Sequence, residues 1–136
     1  MLAAFVVLAV LQVADGNEAA AAFSGYVRSA RWDFRITRTM LAQAPAWEET
    51  ELSPPLPARR AIAIAATQLA ELLPDAAQWR LTSVSLRQIG GGNRWVYVIE
   101  YVGPPPRPEG GITSEKMPIV VLMNGATVVP TRSPWP

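Results

Sequence analysis

The sequence predicts an α+β domain, with one helix packed on a curled antiparallel sheet of four to five strands in the order β-α-β-β-β. Three observations carry that class. Residues 31–37 (R-W-D-F-R-I-T) alternate strictly, with Trp32, Phe34 and Ile36 on one side, as in a half-buried strand. Residues 58–73 are rich in strong helix formers and place apolar side chains at helical spacing. Residues 79–88 and 94–102 are two strand-like runs around Gly90-Gly91-Gly92-Asn93, a hairpin by composition.

Taken in order, residues 1–14 (MLAAFVVLAVLQVA) are almost wholly apolar and uncharged. The run is shorter than the roughly 20 residues a helix needs to cross a bilayer. It matches the apolar region of a secretory signal peptide, followed by Asp15-Gly16-Asn17-Glu18 and four alanines that supply an A-x-A pattern. Residues 1–22 therefore read as a signal peptide cleaved near Ala20 or Ala22, and 23–136 as one domain with its core at about 30–130. The usual positive region is missing, since the first basic residue is Arg28; a start assigned too late accounts for that. The alternatives are a buried N-terminal helix or an uncleaved anchor. No Cys follows the run, so a lipoprotein anchor is not available, and the expected destination is the bacterial periplasm or the outside.

After the first strand, Pro45, Pro54, Pro55 and Pro57 mark an extended connection around the acidic stretch Glu48-Glu49-Thr50-Glu51. Pro57 suits the start of the helix, whose expected buried stripe is Ala58, Ile62, Ala65, Ala66, Leu69, Leu72 and Leu73, with Arg60, Thr67, Gln68 and Glu71 opposite. Pro74-Asp75 ends it. In 79–88 the apolar parity changes between Leu81 and Val84, so a bulge is expected near Ser83. In 94–102, Trp95, Tyr97, Ile99 and Tyr101 share one face and Val96, Val98 and Val102 the other, which places this strand centrally. Residues 103–111, with four prolines, are expected as an exposed loop. Residues 118–123 read as a buried strand, Asn124-Gly125 as a turn with both positions at positive φ, 126–129 as a short return strand and Pro130, Pro134 and Pro136 as a frayed end.

Composition excludes more than it suggests. The 136 residues hold no Cys and no His, which removes disulfides, thiolate metal sites, cysteine nucleophiles and the commonest general base. Twelve basic residues stand against 11 acidic; loss of residues 1–22 would leave 9 acidic and a net charge of +3. That mild excess is not the concentrated basic face of a nucleic-acid binder. Eleven of the basic residues are Arg and Ala and Pro are abundant, as in a GC-rich bacterial genome.

The A-I-A-I-A-A run at 61–66, the W-V-Y-V-I-E-Y run at 95–101 and the V-V-L-M-N-G-A-T-V run at 120–128 resemble the PepSY-like domains of secreted bacterial proteins and the cystatin-like folds, over about residues 57–130. The resemblance implies a secreted, non-catalytic module that binds or restrains a peptidase. A cystatin's inhibitory loop motif is absent.

No residue set points to catalysis, a cofactor or a metal. Glu48, Glu49 and Glu51 read as a solvated acidic turn, Glu100 as a strand-end carboxylate paired with Arg87 or reaching solvent, and Asp33 as part of a surface charge ladder with Arg31 and Arg35. Ser83 and Ser85 lack a base, and the glycine run lacks the Lys-Ser/Thr and helix of a phosphate loop. The aromatic row is the exception: Trp95, Tyr97 and Tyr101 are either core or, flanked by Arg80 and Arg94, a binding surface. The expected function is an exported binding or inhibitory module acting on a protein or peptide through a concave face or a sheet edge. The alternative is a small-ligand carrier with an apolar pocket between helix and sheet. Neither nucleic acid nor, after cleavage, a membrane is an expected partner.

Overall fold

The computed structural model describes residues 16–104 and 115–135. In chain order the elements are β1 (Ala19–Val27), β2 (Ala30–Thr37), a short helix α1 (Arg38–Gln43), the main helix α2 (Ala58–Leu72), β3 (Arg80–Gln88), β4 (Trp95–Val102), β5 (Lys116–Leu122) and β6 (Thr131–Pro134). The strands form one antiparallel sheet ordered β3-β4-β5-β1-β2-β6, and α2 packs on β4 and β5. The α+β class is as expected. The strand count is not: β2, α2, β3, β4 and β5 make up the expected series, and β1, α1 and β6 add to it.

β1 begins among residues expected to be removed. Ala19, Ala21 and Ala22 pair with Thr37, Ile36 and Arg35, so the boundary expected after residue 22 falls inside a strand. The apolar run at 1–14 lies outside the described residues. β1 turns into β2 through Arg28 and Ser29, at φ 54° and 59°, the two-residue geometry in which both positions are left-handed. Contacts with other elements hold this turn: Arg28 pairs with Asp75 at 2.6 Å, and its backbone N–H donates to Glu115 Oε1 at 3.0 Å. Thr37 then caps α1, its hydroxyl accepting from the Met40 N–H at 3.2 Å.

The sheet curls where β1 meets β5. Among the described residues, Tyr26↔Lys116 is their one register pair. Gly25 sits beside it, and a Cβ there would fall 2.8 Å from Pro118 Cδ and 2.9 Å from the Lys116 carbonyl oxygen, so the crossing requires glycine. β2 also approaches β5 to within 8 Å between Cα atoms, although β1 separates them in the ladder. Second neighbours in a flat sheet lie about 9.5 Å apart, so the strands must roll over. The roll explains why β4 is buried on both faces: α2 covers that of Tyr97 and Ile99, while Val96 and Val98 are buried with Phe34 and Ile36 of β2 in the same core.

Four expectations need correction. The buried stripe of α2 is Ala61, Ala65, Gln68 and Leu69; Ala58 and Ala66 are exposed, and Gln68 faces inward. Gln68 is buried because its Nε2 donates to the Val128 carbonyl at 2.7 Å, a carbonyl that a continued ladder would have used. The return strand at 126–129 is accordingly reduced to one bridge, Val121↔Thr127. At the turn before it, Gly125 alone has positive φ (85°), and its N–H donates to the Leu122 carbonyl while the Leu122 N–H donates to that of Ala126. Finally, the expected frayed end forms β6, which pairs with β2 from Asp33↔Thr131 to Ala30↔Pro134. The expected bulge in β3 lies between Leu81 and Ser83. Of the loop expected at 103–111, residues 105–114 lie outside the described residues.

Candidate functional site

The five residues singled out as a possible interaction surface do not share one. Tyr97 and Tyr101 are in the core, at 1% and 5% exposure, and burial raises both phenol pKa values. The Tyr97 hydroxyl donates to the Leu56 carbonyl at 2.6 Å, tying the proline-rich connection to the sheet. Trp95 is half-buried, its ring edge-on to Trp47 at 5.2 Å. Arg94 turns inward, donating to the carbonyls of Leu41 (3.2 Å) and Ala44 (2.6 Å). Arg80 is exposed at the start of β3. Core and surface were alternatives for one row; the row divides between them.

The surface that remains open is β3 itself. It is an edge strand of nine residues, none of them buried. The register sorts its side chains. Leu81, Val84 and Leu86 pair with Tyr101, Ile99 and Tyr97, on the face carrying α2; Arg80, Ser85 and Arg87 pair with Val102, Val98 and Val96 on the other. The bulge after Leu81 keeps Leu81 and Val84 on one face despite their odd spacing. Because α2 packs on β4 and β5, this apolar row is left at the rim: Leu81 and Val84 are each 38% exposed. Beside it lies a largely apolar groove of about 480 Å³, floored by Val84, Leu86 and Tyr97 and walled by Pro54, Pro57 and Ala58.

One rung further, Gln88 pairs with Trp95 on the same face. A second cleft of about 610 Å³ opens there between the hairpin and the acidic connection, bounded by Trp47, Trp95, Glu48, Glu49 and Asn93. The Trp47 backbone N–H donates to the Asn93 carbonyl at 2.9 Å, and Asn93 Nδ2 donates to Glu48 Oε1 at 2.6 Å.

The remaining polar candidates are structural. Glu100 is exposed and accepts from Ser83 at 3.1 Å, while Arg87 turns to Ser85 rather than to Glu100. Ser85 donates to the Val98 carbonyl. Asp33 accepts from Ser24 at 2.5 Å and Arg31 at 2.8 Å; these two hydrogen bonds lower its pKa. Among the described residues, no three acidic, His or Cys side chains gather as metal ligands, and no helix is long and apolar enough to cross a membrane. No protein-family model, curated protein or solved structure matches the chain.

Proposed function

We propose that this chain is an exported, non-catalytic binding module that captures an extended peptide segment by adding it as a strand along β3. The observation behind this reading is a nine-residue edge that, among the described residues, has no strand on its outer side, together with a partly exposed apolar row and a groove beside it. Strand addition takes its affinity from main-chain hydrogen bonds and its specificity from alternate side chains seated in pockets. The segment that fits has apolar residues facing Leu81, Val84 and Leu86, and acidic residues on its opposite face. The acidic preference follows from Arg80 and Arg87 on that face, which together exceed the one carboxylate of the adjoining strand β4, Glu100. A second copy of this chain would bring four such arginines together, which disfavours self-pairing.

The carrier reading keeps one observation in its favour. The groove volume falls within the roughly 300–1,000 Å³ typical of small-molecule sites. Titration with a labelled peptide of alternating Val and Glu, beside an apolar dye, separates the two. Strand addition predicts saturable peptide binding, weakened at least ~10-fold by Val84→Arg, about 1.4 kcal/mol. The melting temperature should stay within ~2 °C, since Val84 is a partly exposed surface position. Saturable dye binding with no peptide binding would reverse the order of the two readings. For export, a chain retained in the cytoplasm with its N-terminus at Met1 would overturn the proposal.

A further inference from the structure

The cleft at the hairpin end has a chemistry unlike that of the apolar groove. Trp47 and Trp95 stand at 66° to each other with centroids 5.2 Å apart, so they form two walls of a box rather than a stack. Both indole N–H groups are buried without an acceptor, which leaves the rings as the functional part of these side chains. Glu48 and Glu49 line the same space, and no basic residue does. Among the described residues the ion pairs are Arg28–Asp75 and Arg31–Asp33, so neither glutamate is neutralised. The nearest cation in sequence, Arg94, is turned away to the Leu41 and Ala44 carbonyls.

An aromatic box with uncompensated carboxylates is complementary to an organic cation, which gains from the ring quadrupoles and from the negative charge together. Carboxylates without a third ligand do not make a metal site. We infer that the cleft bounded by Trp47, Trp95, Glu48 and Glu49 takes the ammonium side chain of a lysine. Its place in the partner rests on the strand-addition reading: Trp95 lies two residues from Tyr97 on one face, about 7 Å along the strand. The captured segment would then carry its lysine two residues from the side chain seated over Leu86. The cation preference itself does not depend on that reading.

Nα-acetyl-lysine methylamide is therefore the primary probe, with the uncharged norleucine analogue as control and tryptophan fluorescence as the readout. The expected result is saturable quenching by the lysine compound, at least ~10-fold weaker for norleucine, weakened again by added salt and by Glu49→Gln. Glu49 is exposed, so its substitution should leave folding intact; Trp47→Leu provides a second variant that should remove the response. Equal responses to the two compounds, or no response to either, overturn the inference. A Val–Glu peptide that binds equally well with lysine or norleucine at the assigned position would refute the register while leaving strand addition standing. A lysine response without any peptide binding would do the reverse.

Discussion

The two edges of this sheet are built to opposite specifications. β6 is four residues long and ends at Pro134, with Pro130 just before it. Arg132 lies 5.4 Å above the Trp32 ring, and Trp135 folds back so that its N–H donates to the Ser29 carbonyl and its ring meets Tyr26 edge-on at 4.8 Å. Short length, proline and covering side chains are the usual devices that stop an edge from recruiting another strand. β3 has nine residues, no proline, and an exposed apolar row. Its protective devices are Arg80 and Arg87, which oppose pairing with a second copy, and the bulge near Ser83, which leaves Val84–Gln88 regular. The contrast argues that the β3 edge is open for use, since the same chain closes its other edge.

The largest way to break this contrast is to remove the closed edge. Deleting residues 131–136 strips β2 of its four-pair ladder partner and Tyr26 of its contact with Trp135. We expect a loss on the order of 3 kcal/mol from the lost β2 pairing and the lost packing of Trp135 on Tyr26 of β1, seen in thermal unfolding, with concentration-dependent light scattering from the bared β2 edge. An unchanged melting temperature and a monodisperse truncated protein would mean that β6 protects nothing.

Next in size is Tyr97→Phe. It leaves the Leu56 carbonyl without its buried donor, which should cost about 1–2 kcal/mol in denaturant unfolding. The proline wall beside the groove should loosen as well, so peptide affinity should fall several-fold with the β3 edge untouched. A stability loss without any affinity loss would detach the groove from the binding account.

The smallest effect belongs to the outer face of β1 and β2. The Asp33 carboxyl titrates below its ordinary value because Ser24 and Arg31 donate to its charged form. A depressed folded pKa adds stability above the unfolded value, near 4, and that contribution is lost as the pH falls through the folded pKa. The advantage of the native protein over Asp33→Asn, measured by melting temperature, should therefore be present at pH 6 and shrink as the pH falls below the unfolded value. Because Asp33 is partly exposed, the gap should be small at any pH and smaller in high salt.

Elements with a strong period were legible in the sequence. The alternation of Trp32, Phe34 and Ile36 marks β2, the run of alanines and leucines marks α2, and the parity change between Leu81 and Val84 marks the bulge. What was not legible lacked a local signal. The alanines opening β1 have low strand propensity and also suit a cleavage site, and the turn at Arg28-Ser29 is left-handed without Gly or Asn. The prolines around β6 read as disorder, although Pro134 is tolerated at the end of an edge strand. Gln68 read as a solvent-facing residue because its carbonyl partner, on Val128, is sixty positions away.

The site was half legible. The aromatic row was visible, but parity alone cannot say which face a helix covers, and so Tyr97 and Tyr101 were not separable from Trp95. The cleft was invisible because Trp47 and Trp95 come together only when Arg94 and Asn93 hold the acidic connection against the hairpin.

The central claim, that β3 is the edge a peptide joins, is tested most directly by amide hydrogen exchange across β3 and β6 in the presence of the Val–Glu peptide. Strand addition at β3 predicts that slowed exchange is confined to backbone amides within β3, with β6 unaffected and the slowing abolished in Val84→Arg. Protection in β6, or peptide binding that leaves every β3 amide exchanging as before, would contradict it.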